Sequence, residues 1–135
     1  MALSIPAPVV ELLGRPQLGF LSTVRPDGGL SVVPVAPMFD GEAVWVSSLR
    51  RSRKVRNLAS DPRASICVVD RDNPMRYALF RGQAEVLPDP DRLKVNEMAR
   101  LYMNVEEYPY DRPGDERVVI RINAAAVSSP RVHGT

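Results

Sequence analysis

Cations are concentrated in one short segment of this 135-residue chain. Residues 47–57 read Ser-Ser-Leu-Arg-Arg-Ser-Arg-Lys-Val-Arg-Asn, where an apolar strand pattern gives way to a helical one. Ser52 is a typical N-cap residue, and the cations Arg53 and Lys54 occupy the first turn that follows it. A helix N-terminus attracts anions through its free amide hydrogens and its dipole, so cations there are unfavourable unless a negative charge compensates them. The segment therefore predicts an anion-binding site, with a solvated basic turn as the alternative.

Other residues that could carry chemistry are few. The chain has one histidine, His133, and one cysteine, Cys67, which excludes a Ser-His-Asp triad and a cysteine-based zinc site within one chain. The eight glycines are scattered and form no phosphate loop. Since the side chains do not supply a reaction by themselves, we expect a cofactor to supply it.

Composition limits the class of protein. Hydrophobic residues make up 44% and charged residues 25% of the sequence, as in soluble globular proteins, and the length fits a single domain over residues 1–135. The net charge of +2 and the 6% of aromatic residues do not favour nucleic-acid binding. No apolar run approaches the roughly 20 residues of a membrane span, and the first residues lack a basic secretory signal. We expect a cytoplasmic protein that binds no membrane.

The apolar pattern predicts six strands, mostly linked as hairpins. Two short helices flank them, over 9–13 and around 55–59, and Pro34 and Pro37 require an edge position or a bulge in the second strand. This arrangement favours a mainly β fold, a six-stranded antiparallel barrel with short flanking helices. The predicted strands cover residues 19–24, 30–39, 43–49, 64–69, 77–87 and 117–122.

A further helix is predicted after Asp89-Pro90, a typical N-cap followed by a proline at the first helical position. Its buried face is predicted to consist of Val95, Met98, Leu101 and Tyr102.

Two groups of motifs carry a family resemblance. Gly19-Phe20-Leu21-Ser22-Thr23-Val24, Pro26-Asp27-Gly28, Pro34-Val35 and Asp40-Gly41 resemble the opening of the pyridoxamine-phosphate-oxidase-like split β-barrel superfamily, the FMN-binding split-barrel type. The segment from Ser52 to Leu58, followed by Asp61-Pro62-Arg63, resembles the flavin/deazaflavin oxidoreductase branch that uses coenzyme F420. The resemblance extends over residues 8–127. The arginine- and tryptophan-containing C-terminal motif of true pyridoxamine-phosphate oxidases is missing, so vitamin B6 oxidation is not expected.

The resemblance implies a homodimer with two cofactor sites at the subunit interface. The cofactor phosphate would lie against Arg53 and Lys54, with Ser52 and Asn57 close by. This position agrees with the anion site that the helix polarity predicts.

The ring system would lie along the strands at Pro34, Val35 and Ser47. The partner subunit would contribute a loop near its own Met75 and Tyr77. From their charge, we expect Arg50 and Arg51 to face the anionic polyglutamate tail of the deazaflavin.

The resemblance thus implies an F420-dependent oxidoreductase that transfers a hydride between deazaflavin and a small unsaturated organic substrate. The protein would orient the two reactants and contribute no catalytic side chain of its own. Two alternatives remain open. One is an FMN-dependent, pyridoxamine-phosphate-oxidase-like flavoprotein, and the other is a non-catalytic carrier of flavin, haem or deazaflavin.

Overall fold

The computed structural model describes residues 4–129, so His133 lies outside the described residues. None of the helices in this range has the length and apolar composition that crossing a bilayer requires. In chain order the elements are α1 (Ala7–Leu13), β1 (Leu18–Val24), β2 (Leu30–Val35), β3 (Met38–Phe39), β4 (Val44–Leu49), α2 (Arg53–Ser60), β5 (Arg63–Val69), β6 (Tyr77–Pro88), α3 (Leu93–Met103) and β7 (Arg117–Ser128).

All the strands join one antiparallel sheet in the order β2-β1-β5-β6-β7-β4-β3, which confirms a mainly β split barrel. Within residues 4–129 there are seven strands, whereas six were predicted. The predicted strand over 30–39 is two strands that are separated by Ala36 and Pro37. Because β2 pairs with β1 and β3 pairs with β4, the chain passes here from one edge of the sheet to the other.

Pro34 lies where its chemistry requires. Pro34 belongs to β2, where it stands opposite Phe20 of β1. The strand β2 lies at the edge of the sheet and pairs with β1 alone. The missing amide hydrogen of proline therefore leaves no partner strand without a donor, as expected from the sequence.

The core lies on the inner face of the curled sheet. Leu21, Ile66, Phe80 and Ile120 are buried there, one from each of four strands, as the alternation of side chains along a strand requires. The helix α2 packs Val55 and Leu58 against this core. The sequence predicted Ala59 as a third buried position, but Ala59 is exposed and Asn57 is buried instead.

The start of α3 differs from the prediction. The helix begins at Leu93 rather than directly after Asp89, because Arg92 adopts a left-handed conformation with φ of 60° that interrupts the helical path. Asp89 still acts as a cap, since its carboxylate oxygens accept the amides of Leu93 and Lys94, each at 3.0 Å.

The buried face of α3 is also narrower than predicted. Val95 and Ala99 are fully buried, whereas Met98 and Tyr102 are half-buried. Leu101 is exposed, so its assignment to the buried face was wrong for this chain. The helix packs against β4, and its remaining face is left to solvent at Leu101.

Candidate cofactor-binding site

The first turn of α2 is open to an anion. Ser52 is the N-cap, with extended backbone angles of φ −69° and ψ 152°, and α2 begins at Arg53 as predicted. The Ser52 hydroxyl does not cap the helix; its Oγ lies 2.9 Å from the Oγ of Ser48. The first turn contains no acidic residue. The free amide hydrogens of this turn are therefore not occupied by the N-cap side chain or by a carboxylate of the helix.

Two cations stand at this turn without an acidic partner. Arg53 is exposed and Lys54 is half-buried, and neither forms an ion pair with a carboxylate of residues 4–129. Burial lowers the pKa of Lys54, and the charge of Arg117 lowers it further. Because a partly buried cation without a counter-charge is unfavourable, these residues are suited to a bound anion.

Arg117 completes the cluster from the neighbouring strand. It begins β7, which pairs with β4 in a register that places Arg117 opposite Leu49. Its Nε and Nη2 donate to the two carboxylate oxygens of Asp111 at 2.8 and 2.6 Å, and its Nη1 donates to Ser47 Oγ at 3.4 Å. The guanidinium also lies over the ring of Tyr108, 4.6 Å from its centroid.

Sequence reasoning missed Arg117 as a site residue. The available signal was the alternation of Arg117, Val119 and Arg121, which puts two cations on one face of β7. That signal points to the site only once β7 is known to pair with β4, and this pairing joins residues about 70 positions apart.

The other two cations of the predicted segment have acidic partners. Arg50 Nε donates to Glu116 at 2.7 Å, and Arg51 Nη2 lies 3.1 Å from an oxygen of Asp115. Both pairs reach across to the turn that precedes β7. The structure therefore divides the basic segment into a paired half and an open half.

Asn57 does not face the candidate site. It is fully buried, and its Nδ2 donates to Thr23 Oγ1 at 3.0 Å, while its Oδ1 has no hydrogen-bond partner. That Asn57 lies close to the phosphate stays a prediction, but its side chain is directed into the core and bonded there. Asn57 lies on the buried side of α2 with Val55 and Leu58, and its hydrogen bond to Thr23 joins α2 to β1.

A groove contains two of the residues predicted to hold the ring system. It has a volume of about 820 Å³, within the usual range for a small-molecule pocket. Pro34 and Val35 line it, as do Phe20, Pro74 and Tyr102. The lining is mainly apolar and suits a flat ring better than a charged group.

Met75 and Tyr77, which were also predicted as site residues, are neighbours of residues that line this groove. Met75 follows the lining residue Pro74 and is exposed, and Tyr77 is half-buried at the start of β6 opposite Val69, which also lines the groove. The predicted site residues of one chain thus form two groups. Pro34 and Val35 lie with the loop over 70–77, whereas Ser47, Ser52 and the open cations lie with Arg117. None of the residues that line the groove belongs to the cation cluster.

Metal binding has no support in this part of the chain. Among the residues described, no three His, Cys, Asp or Glu side chains come together as a metal site would require.

Comparison with known proteins agrees with the architecture. The family model described as pyridoxamine 5'-phosphate oxidase matches residues 5–129. The chain belongs to this family. A solved structure named F420 reductase is 33% identical, with a TM-score of 0.80, and the match covers 92% of this chain and 98% of that one.

Other solved structures share the family fold. A conserved hypothetical protein from Mycobacterium tuberculosis is 25% identical, with a TM-score of 0.75, over 95% of this chain and 85% of that one. A pyridoxamine 5'-phosphate oxidase-related, FMN-binding protein from Nostoc punctiforme is 16% identical, with a TM-score of 0.64, over 93% and 84% of the two chains. At that identity the likeness concerns the fold alone.

Proposed function

We propose that this member of the family is an oxidoreductase that binds coenzyme F420 and transfers a hydride between the deazaflavin and a small unsaturated organic substrate. The observation that carries the proposal is the open cation pair of Arg53 and Lys54 at the uncapped first turn of α2. The 33% identity to a protein named F420 reductase supports deazaflavin as the cofactor.

The residues present fit such a cofactor at both of its ends. Lys54 and Arg53 supply charge for the phosphate, Ser52 directly precedes them, and Ser47 is bonded to Arg117, whose charge reaches Lys54. The groove at Pro34 and Val35 supplies apolar walls for the ring. When bound, the reduced deazaflavin supplies a hydride from C5 of its ring. The chain's own residues hold and orient the two reactants and exclude water, and no side chain is assigned a proton transfer.

We place the complete site at the interface of a homodimer. An apolar patch on the outer face of β1 and β2 supports this, since Leu30 is 74% and Val32 is 61% exposed, with Leu18 and Phe20 on the adjacent strand. Such a contiguous apolar patch is typical of a protein interface. It is continuous with the groove, which Leu18 and Phe20 also line. The partner subunit's Met75 and the partner subunit's Tyr77 would then cover the ring.

Light scattering tests the dimer. A mass of about twice the 15.0 kDa of one chain is expected at micromolar concentration. The double substitution Leu30→Lys, Val32→Lys should give a monomer that has lost cofactor binding. A monomeric wild-type protein that binds cofactor would rule out the shared site.

FMN is the second candidate cofactor, because its phosphate could use the same open cations. Titration of the purified apoprotein with F420 and, separately, with FMN distinguishes the two by fluorescence. We expect F420 to bind at least tenfold more tightly, and tighter binding of FMN would replace deazaflavin as the assignment.

Turnover distinguishes an enzyme from a carrier. Reduced F420 should be oxidised in the presence of the protein when a panel of enones, quinones and imines is supplied, and the loss of its absorbance should depend on the acceptor. Tight binding of F420 without acceptor-dependent oxidation across that panel would identify a carrier instead.

A further inference from the structure

The loop over 104–116 between α3 and β7 folds back onto the cation cluster. Asp111, from this loop, receives hydrogen bonds from Arg117 and from Arg92. Arg92 also donates to the backbone oxygen of Tyr108 at 3.0 Å, and the Tyr108 ring lies under Arg117. The side chains of Arg117 and Asp111 are 8% and 9% exposed. This is an ordered, nearly buried polar network, and the family resemblance did not point to any member of it.

We propose that Arg117 is a positioning residue of the anion site, which orients the hydroxyl of Ser47 toward the bound anion and maintains positive potential beside Lys54. The proposal rests on the proposed function and adds a residue to the same site. Tyr108 and Asp111 hold Arg117 in place.

The hydrogen-bond chemistry of Ser47 supports this role. A guanidinium can only donate, so Ser47 Oγ is the acceptor in its 3.4 Å contact with Arg117 Nη1. The Ser47 hydroxyl hydrogen must therefore point away from Arg117. The hydrogen is therefore available to another acceptor beside Arg117, and a phosphate oxygen can accept it.

The charge balance of the cluster also supports it. Lys54, Arg92 and Arg117 carry three positive charges, and within residues 4–129 Asp111 is the one carboxylate bonded to any of them. Hydrogen bonds from Arg117 and then Arg92 keep the pKa of Asp111 below its usual value, so the carboxylate is ionised and an excess of two positive charges remains. Partly buried excess charge is unfavourable without a counter-ion. A phosphate, alone or with a neighbouring carboxylate, provides that counter-charge.

Arg121 serves as a matched control on the same strand. Like Arg117, it lies over an aromatic ring, with its guanidinium 5.4 Å from the centroid of Trp45. It also faces carboxylates, with Glu85 at 3.6 Å and Glu42 at 3.8 Å. It makes no contact with Ser47 among the residues described, so it controls for the loss of an arginine stacked on β7. Because Arg117 is 8% and Arg121 26% exposed, the melting temperatures of both variants are measured with the affinities.

The first experiment compares Arg117→Gln with Arg121→Gln by titration with F420 and with FMN. Loss of a charge-assisted contact predicts about a tenfold to hundredfold weaker binding for Arg117→Gln. Arg121→Gln should bind within about twofold of wild type, since an exposed ion pair contributes little. Equal effects of the two substitutions on binding would overturn the proposal.

A double-substitution cycle tests whether Arg117 acts through Ser47. Ser47→Ala should weaken binding in the wild-type background and have almost no effect once Arg117→Gln is present, because the hydroxyl is then no longer oriented. Additive losses would overturn the proposal. Arg117→Lys keeps the charge but cannot form the two-pronged bond to Asp111, so it should restore only part of the affinity.

If Arg117→Gln does not fold, the affinity of Arg117→Lys is measured instead, and an affinity equal to that of wild type would overturn the proposal. Failure of the two ideas can be told apart. A wild-type protein that binds neither F420 nor FMN defeats the proposed function, whereas normal binding that is indifferent to Arg117 defeats only the positioning role.

Discussion

Two halves of one basic segment behave differently. Arg50 and Arg51 pair with carboxylates of the turn before β7, at 2.7 and 3.1 Å, whereas Arg53 and Lys54 have no such partner within residues 4–129. Both halves consist of two cations, and corresponding positions are only three apart. Charge available for a ligand is therefore decided by what the neighbouring strand presents and not by the count of cations.

The strand β7 explains this division. The amide of Arg50 donates to the backbone oxygen of Glu116 at 2.9 Å, which continues the β4–β7 ladder and sets the Glu116 side chain against Arg50. The next residue, Arg117, points to the opposite side, as alternation requires. There it meets Ser47, and its charge reaches Lys54. One strand thus neutralises one half of the segment and increases the positive charge of the other.

Among substitutions that test the difference between the two halves, Lys54→Ala should weaken cofactor binding most. Removing a charge-assisted bond to phosphate predicts a loss of about 1.5 to 3 kcal/mol, or about tenfold to hundredfold in cofactor affinity. The melting temperature should hardly change, because Lys54 forms no ion pair within the described residues. Fluorescence titration and thermal unfolding measure the two quantities.

Arg56→Ala is the control for this variant. Arg56 is an exposed cation on the same helix, so its removal should change affinity by less than about threefold. If both variants weaken binding equally, the helix acts through its overall charge. The idea that unpaired cations at its first turn hold the phosphate would then be wrong.

The pH dependence of binding should identify Lys54 directly. Its pKa is lowered in the free protein, by burial first and by Arg117 second, and a bound anion would raise it. Binding therefore takes up a proton at pH values above the lowered pKa, so affinity should fall as the pH rises, by at most about tenfold per unit. Arginine does not titrate in this range, so Lys54→Arg should flatten the profile. A wild-type profile that is already flat would contradict the role of Lys54.

The bond that holds α2 can be separated from the charge that α2 carries. Thr23→Val removes the acceptor of the Asn57 amide in the core and leaves both polar ends of Asn57 without a partner. This should lower the free energy of unfolding by about 1 to 3 kcal/mol. Affinity for F420 below the melting transition should remain within about twofold of wild type. A loss of affinity as large as that of Lys54→Ala would give Asn57 a direct part in binding.

Local signals in the sequence predicted much of the fold and one half of the site. Ser52 and Asp61-Pro62 mark both ends of α2, and the turns at Pro26-Asp27-Gly28 and Asp40-Gly41 join antiparallel strand pairs. These signals act over a few residues and do not depend on the rest of the chain. They also sufficed to place the open cations at a helix N-terminus.

Strand pairing over long sequence distances and unusual backbone conformations could not be predicted from the sequence. The pairing of β4 with β7 brings Arg117 to Ser47, and no local pattern encodes which strands become neighbours. The left-handed Arg92 delays α3, and non-glycine residues adopt this conformation too rarely for it to be expected. The resemblance implied that Asn57 is a site residue. Its burial depends on which face of α2 meets β1, and no local pattern gives that.

Substitution of Arg50 and Arg51 should have the smallest effect on cofactor affinity, because both residues are already paired with carboxylates. If they face a polyglutamate tail, long-tailed F420 should bind more tightly than its tail-less form at low salt. Because Glu116 and Asp115 already neutralise part of their charge, this advantage should be only about twofold to fivefold, the value of an exposed ion pair.

The double variant Arg50→Ala, Arg51→Ala should erase this advantage while leaving the tail-less form unaffected. The converse variant Asp115→Asn, Glu116→Gln frees both guanidiniums and should increase it. Both changes should shrink as salt rises, since exposed charges are screened over about 8 Å at physiological ionic strength. If the converse variant leaves the tail preference unchanged, the paired half of the segment only joins β4 to the turn before β7, and binding depends on Arg53, Lys54 and Arg117 alone.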